Sequence, residues 1–501
     1  MTISASSSAA CAQARLLYEA GHPDQALAAL QEHLRREPQD GLALNDAGAL
    51  LYAAGRFDEA ADLLKRAAAC LTEDRGQPLW NLAEVYLASG RPAETLAQFD
   101  EMARAGLLTT ELANRTAAAL LDRGDLAGGI EALIHSFRLS PRQQALLPMY
   151  EKVRGMRPKV AFLCETGDLK FINEIYAFTA ARFETRFWQG RSPDEMQRVL
   201  QGCDIAWFEW CTELVVQASR LPKVCRCIVR LHRYEAFRPW PEKVRWENID
   251  ALVTVGNSVV HERLLQKIPD LASRTRVVPI PNGVDLDRFA FTSRPRGKNL
   301  ACVARLHILK NPMLLLQAFQ KLHAADPEFR LFFAGNFQDD GVLENYLHYA
   351  AEEMGLTEAV RFDGWQEDVA AWLDDKHYLV SASIVEGHPV NILEGMARGL
   401  KPVVHIFPGC RDFLPPQYLW RTADEFCARI LADPYRPEEY RDFVAERFPL
   451  KAQLNRVNSL FLEFERNPVA KTTPAATDRP AVEALLSVPS TSAAPGTAVE
   501  R

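Results

Sequence analysis

The 501-residue chain has no C-x-x-C pair, although it holds ten cysteines spread from Cys11 to Cys427. That scatter excludes a dense disulfide framework and fits reduced thiols in a large intracellular chain. Cys225-Arg-Cys227 has no second ligand pair nearby, so it lacks a zinc spacing. Long hydrophobic runs are missing: no stretch approaches the roughly 18 apolar residues of a membrane span. The opening MTISASSSAA has neither the basic start nor the apolar run of a secretory leader, so a cytoplasmic location is expected. Excess positive charge is missing as well. With 58 Lys and Arg against 65 Asp and Glu the formal charge is -7, which leaves no electrostatic footprint of a nucleic-acid binder. What is present is 48% hydrophobic and 25% charged residues, enough to bury real cores. At roughly 150 residues per domain the length suggests about three domains.

The front of the chain repeats. Gly21, Gly55, Gly90 and Gly124 each follow an apolar helix-like segment and precede a polar turn and a second such segment. Ala14, Gly48, Ala83 and Ala117 recur seven residues before these glycines, and Leu17, Leu51, Tyr86 and Leu120 four before. Leu30, Leu64, Phe99 and Leu133 recur nine after. Small residues let the two helices of a hairpin approach, and large ones fill the gap between hairpins. The pattern resembles the tetratricopeptide repeat over about residues 10 to 145. A fourth unit departs from it with Gly129 where the second helix wants Ala. Stacked hairpins make a concave surface suited to an extended peptide or a partner protein. Asn45, Asn81 and Asn114 fall on successive first helices, but their register slips by one residue. They read as exposed polar positions rather than as a regular ladder holding a peptide.

From Arg157 the texture changes to short apolar runs alternating with helix-like segments: KVAFLCE, DIAWFE, CIVRLH and ALVTVG. After the irregular, linker-like VVPIPNGVDLDRF at 277–289 a second alternation runs through NLACVAR, RLFFAG, VRFDG, HYLVSAS and KPVVHI. Two α/β halves with parallel sheets, each Rossmann-like, are expected. Ligands in such sheets sit beyond the carboxyl ends of the strands. Arg305 ends one strand and Lys310 opens the following helix, two cations suited to a diphosphate. Glu386-Gly387 lies in a loop whose following helix Pro389 helps to start, and Glu394 sits one turn inside that helix. Asp285-Leu-Asp287 matches D-x-D but sits in the linker, where it reads as structural. The aromatic IAWFEWCTE, with Trp207, Phe208 and Trp210, reads as a buried strand rather than a cleft lining.

Over about residues 158 to 465 the sequence resembles the family-4 retaining glycosyltransferases of the GT-B fold. The residues that carry this are Pro281 to Asp285, Arg305 with Lys310-Asn311, the strand leading to Gly335, Phe362-Asp363-Gly364, Glu386-Gly387-His388-Pro389 and Leu393-Glu394-Gly395-Met396-Ala397. The resemblance implies a nucleotide-diphosphate sugar as donor, with no cofactor and no metal. Arg305 and Lys310 are then expected on the diphosphate, Glu386 at the donor sugar as the catalytic residue, and Glu394 on the ribose. Gly387, His388, Pro389 and Val390 complete the donor contacts. His232, at the end of a strand-like run, lies where the family often keeps a histidine beside the donor sugar, although it could equally cap a loop or pair with Glu235. Thr166-Gly167-Asp168 occupies the place of the family's first glycine-rich loop without its glycines, and is expected to serve the acceptor.

The expected layout is a flexible start (1–10), helical repeats (11–150), an acceptor half (157–285), a donor half (296–436), a helical stretch crossing back (437–466) and a Pro-, Ala-, Thr- and Ser-rich disordered tail (468–501). The leading expectation is an enzyme whose repeats recruit an acceptor protein or peptide, with no nucleic-acid partner and no transmembrane segment, and with room for peripheral membrane contact. The alternatives are transfer to a polysaccharide or lipid-linked glycan, with the repeats used for docking, and a non-catalytic repeat scaffold.

Overall fold

The computed structural model describes residues 5–71, 75–165, 169, 171–190, 192–338, 341–432 and 434–469, in two compact units. The first begins with helix Ala5–Glu19, so helix extends into the stretch expected to be flexible; its run of Ala and Ser opposes no helix. Seven more helices follow, from Pro23–Arg36 to Leu126–Leu139, and consecutive ones pack in pairs. Gly21, Gly55, Gly90 and Gly124 all take positive φ, between +71° and +82°, so each ends its first helix in the left-handed conformation that glycine adopts without strain. Gly48 lies against Leu64, where an added Cβ would come within 2.7 Å of Leu64 Cγ. The irregular Gly129 has a similar cause: a Cβ there would come within 2.4 Å of Leu121 Cδ2.

Residues 181–184, which the sequence places among the α/β elements, belong to this first unit. Buried Arg182 pairs through Nε with Glu131 at 2.5 Å, and the Tyr150 hydroxyl donates to the Ala181 carbonyl at 2.6 Å. The Arg157 guanidinium lies 3.9 Å from the Phe183 ring centre. These contacts join residues more than 20 positions apart, which no repeat pattern announces.

Among the described residues the second unit holds two parallel sheets of six strands each. In chain order the first sheet has β1 (Val160–Leu163), β2 (Thr185–Trp188), β3 (Ile205–Glu209), β4 (Arg226–Leu231), β5 (Ala251–Thr254) and β6 (Arg276–Pro279), arranged β2-β1-β3-β4-β5-β6. The second has β7 (Asn299–Val303), β8 (Arg330–Ala334), β9 (Val360–Gly364), β10 (Tyr378–Ser381), β11 (Lys401–His405) and β12 (Leu419–Trp420), arranged β12-β11-β10-β7-β8-β9. The central strands β1, β3, β5 and β10 are buried along their whole length, as strands covered by helices on both faces must be.

Three strands escaped the sequence pattern. The linker read at 277–289 begins inside β6, an edge strand whose half-exposed Val277 and Val278 and terminal Pro279 look irregular in sequence. β2 and β12 are edge strands of four and two residues. The expected crossing-back stretch is two helices, Pro437–Arg447 and Leu450–Arg466. They part at Phe448-Pro449, where Val284 forms a bridge to Pro449, donating to the Phe448 carbonyl and accepting from Leu450 N–H. The last helix lies on the first sheet: Phe461 meets Trp207 at 6.1 Å, and Glu463 pairs with Arg276 at 2.6 Å.

At the end of β8, Gly335 has φ +129°, and a Cβ there would fall 1.9 Å from the Ala304 carbonyl oxygen. Gly335→Ala is therefore expected to destabilise the chain by more than about 2 kcal/mol, since both the backbone angle and the close approach exclude a side chain. A denaturant midpoint unchanged from the parent would refute this account.

Candidate functional site

The carboxyl ends of β7, β8 and β9 are laced together. Ala304 N–H donates to the Ala334 carbonyl at 2.9 Å and Gly335 N–H to the Gly364 carbonyl at 2.7 Å. This brings Arg305, Gly335 and the residues after Gly364 to one edge, where they line a cavity of about 420 Å³. Glu394 and Val390 enter it from helix Val390–Ala397, which Asn391 anchors by donating from Nδ2 to the Val303 carbonyl at 2.7 Å. Phe171, Glu174 and Arg288 close it from the first sheet's side and from the linker. A larger concavity, about 900 Å³, runs along β5 and β6 and contains none of the residues singled out by sequence.

Lys310 and Glu386 lie outside the cavity lining and face each other. Lys310 ends a short turn, Ile308–Lys310, whose Leu309 carbonyl accepts from Ile384 N–H at 3.0 Å. That backbone bond holds the two loops together, and Lys310 Nζ meets Glu386 Oε1 at 2.5 Å. The Glu386 carbonyl accepts from Asn257 Nδ2 at 3.1 Å, which ties the loop to the start of helix Ser258–Lys267 in the first half. Gly387 lies against Arg233, with room for a Cβ only 3.0 Å from Arg233 Cβ. Pro389 caps the helix as expected of its fixed φ. His388 is buried against Phe413 and Phe448, and neither ring nitrogen has a hydrogen-bond partner. Burial, with Arg230 and His232 nearby, pushes its pKa down to about 3, so it is neutral at working pH.

The His232 ring does not pair with Glu235. Its Nε2 meets Glu209 Oε1 at 2.7 Å, while Glu235 Oε1 accepts from the backbone N–H of His232 at 3.3 Å and of Cys211 at 3.1 Å. Phe171 stacks on the imidazole at 4.8 Å and Trp210 lies at 4.3 Å. Trp210 takes φ +73°, an uncommon angle for a bulky residue, and its backbone N–H donates to the Arg230 carbonyl. Glu209 is fully buried. Burial would raise its pKa, but Arg230 at 3.2 Å, His232 and the Trp207 indole at 2.9 Å outweigh it and hold the carboxyl below its ordinary value. Arg230 also donates to Asn282 Oδ1 and, at 2.7 Å, to the Phe171 carbonyl. Trp207 and Phe208 are fully buried, whereas Trp210 packs at the strand end beside His232.

Asp285 Oδ1 accepts from the N–H groups of Asp287 and Arg288, so this carboxylate closes its own turn. Thr166, Gly167 and Asp168 lie outside the described residues. Glu209, Arg230, Asn257, Arg288 and Trp365 join the constellation without being singled out by sequence. The charge of Glu209 at a strand end was the one available signal, since a carboxylate inside an apolar run must find partners.

Residues 284–446 match the family model described as glycosyl transferases group 1, and residues 11–78 and 76–101 match tetratricopeptide repeat models. The chain is 30% identical over 143 residues to the putative glycosyltransferase EpsF of Bacillus subtilis (strain 168), covering 26% of this chain and 36% of the relative. It is 30% identical over 139 residues to the GDP-mannose:cellobiosyl-diphosphopolyprenol alpha-mannosyltransferase of Xanthomonas campestris, covering 27% and 36%. The chain thus spans about a third of the length of these curated relatives. The crystal structure of Anabaena Alr3699/HepE in complex with UDP and glucose superposes with a TM-score of 0.50 at 13% identity, over 61% of this chain and 100% of that one.

Burial raises the Glu394 pKa from 4.5 to about 7, with Glu174 adding and Arg288 opposing. The folded chain therefore holds this proton more tightly than the unfolded one, so stability falls as pH rises from about 4.5 through 7. Glu394→Gln should melt near the parent at pH about 4 and above it at pH about 8; equal differences at both would refute the assignment. The chain thus has a group 1 glycosyl transferase match over residues 284–446, within two parallel α/β sheets of GT-B fold, and tetratricopeptide repeat matches over residues 11–101 at its N-terminal end.

Proposed function

We propose that the chain is a retaining, family-4-type glycosyltransferase that takes a sugar from a nucleotide-diphosphate sugar held in the 420 Å³ cavity and passes it to a protein acceptor. The observation that carries the donor reading is the convergence of Arg305, Glu394 and Gly335 on that cavity, with Lys310 and Glu386 paired beside it. Breaking the sugar–phosphate bond develops positive charge on the sugar and negative charge on the diphosphate. Arg305 and Lys310 stabilise the departing diphosphate, each worth several kcal/mol of barrier in a site that excludes water. The donor's phosphate takes over Lys310, which leaves Glu386 to face the sugar. Glu394, in its ionised form, accepts hydrogen bonds from the ribose. His232 borders the sugar, with its ring fixed by Glu209 and the two aromatic rings. No metal is needed for this charge balance. The UDP and glucose held by the Anabaena neighbour of the same fold support a nucleotide-sugar donor.

A protein acceptor is favoured by the repeats, because a solenoid that binds extended peptide serves no purpose for a small sugar. The asparagines expected to be exposed are not: Asn45 is buried, Asn81 Nδ2 donates to Asn45 Oδ1 at 3.0 Å across neighbouring units, and half-buried Asn114 is tied to Gln143 and Ser136. A second reading, transfer to a lipid-linked glycan, is favoured by the diphosphopolyprenol in the name of the Xanthomonas relative.

Glu386→Ala is expected to lower transfer by at least about 100-fold with an unchanged melting temperature, and Lys310→Ala to weaken nucleotide-sugar binding. Turnover at the parental rate by either variant would refute the site. Acceptor proteins should gain a sugar-sized mass increment, read by intact mass, that Glu386→Ala abolishes. Donor hydrolysis with sugar appearing only in the lipid extract would replace the protein acceptor by the second reading.

A further inference from the structure

A surface next to the cleft is built unlike the rest of this acidic chain. Between residues 220 and 245 there are eight Lys or Arg and two Glu, against a net charge of -7 overall; Arg230 is buried and Lys223 and Arg226 pair with Asp250, which leaves five further cations in the segment. Immediately after His232 the chain forms two short helices, Arg233–Ala236 and Trp240–Lys243, that leave Tyr234 40% and Phe237 48% exposed. Trp240 lies 6.0 Å from Tyr234, and Arg238 stacks over the Tyr234 ring at 4.3 Å. Helix Ser258–Lys267 continues the patch: Arg263 lies 5.9 Å from the Phe237 ring, and Lys267 Nζ donates to the Arg238 carbonyl at 2.7 Å. One exposed acid, Glu262, stands beside Arg263, and the other nearby acids are buried or paired. Glu235 is buried, Glu242 pairs with Lys267 at 3.1 Å, and Glu247 pairs with Arg274 at 2.7 Å. Among the described residues no carboxylate forms an ion pair with Arg238, Lys243 or Arg263.

We infer that Tyr234 and Phe237, backed by Trp240 and rimmed by Arg238, Lys243 and Arg263, form a docking surface for an anionic lipid bilayer. Single exposed apolar residues need no explanation, but two exposed aromatic rings three residues apart, each beside a cation and backed by half-buried Trp240, match the chemistry of a membrane interface. The rings enter the headgroup boundary with their apolar bodies, and the long cationic side chains lie along them with their charge at the phosphates. Each cation near an anionic surface contributes about a fivefold gain in partitioning. A protein partner is the weaker fit, because charge is generally depleted at the centre of protein interfaces, whereas here the cations stand against the rings. Arg233, which begins this patch, touches Gly387 of the candidate site. Docking would therefore set the mouth of the cleft at the bilayer surface, where a lipid-linked acceptor carries its sugar. This purpose rests on the second acceptor reading, whereas the binding itself does not.

The test is flotation of the full-length chain with vesicles of phosphatidylcholine alone or mixed with phosphatidylglycerol, without donor. The parent should float with the mixed vesicles only, and release with salt. Arg238→Glu with Arg263→Glu should lower partitioning by more than about tenfold. Tyr234→Ser with Phe237→Ser should lower it as well; should that variant fail to fold, the charge pair alone decides. A parent that ignores phosphatidylglycerol, or charge variants that float like the parent, would overturn the inference. So would a dimer that Phe237→Ser dissociates, since the face would then belong to a second copy. Donor hydrolysis, measured in parallel, reports separately on the transferase reading.

Discussion

A carboxylate sealed inside the first half, Glu209, sets the terms for the residues around it. A charge removed from water must be paired and hydrogen-bonded, and here Arg230, His232 and Trp207 supply the partners. Arg230 carries the constraint outward to the Phe171 carbonyl and to Asn282 of the linker. One buried charge thereby fixes the ends of β3 and β4, the loop that precedes helix Asn173–Ala180, and the chain leading into the second half. Losing one partner would strand the other charge in the core, which is strongly destabilising. The histidine ring is clamped as a by-product, between the carboxylate, Phe171 and Trp210.

The facing half is held by backbone rather than by charge. Gly335 admits the Ala304 carbonyl where no side chain fits, and the Leu309 carbonyl ties the Lys310 turn to the loop that bears Glu386. The charged groups are placed on this frame with different degrees of burial. Lys310 and Glu386 satisfy each other, whereas Glu394 faces the cavity with its carboxyl pushed up by desolvation. Hydrogen bonds donated to the Glu394 carboxylate would favour its ionised form and draw its pKa back down.

Much of the fold was legible because its signals are local. The positive-φ glycines recur at the end of each hairpin's first helix, and nine of the strands announce themselves as short apolar runs, most of them buried in the parallel sheets. The strands that escaped, β2, β6 and β12, are short edges with one side open, where the apolar signal fades. Of the candidate site, Arg305, Lys310, Glu386 and Glu394 could be singled out because each sits next to a strand end or helix start. Arg230, Asn257, Arg288 and Trp365 could not, since their importance depends on neighbours far along the chain: Asn257 reaches Glu386 across 129 positions.

By itself, then, the sequence determined the repeat solenoid, the two α/β halves and the set of charged residues at the strand ends, because helix periodicity, strand burial and turn chemistry are written within a few residues of each other. Tertiary structure alone decided which charges meet. It gave the His232 ring to Glu209 rather than Glu235, joined Lys310 to Glu386, sank His388 between two phenylalanines, and added residues 181–184 to the repeat unit. Pairing is settled by distance and dielectric in three dimensions, and neither quantity is carried by spacing along the chain.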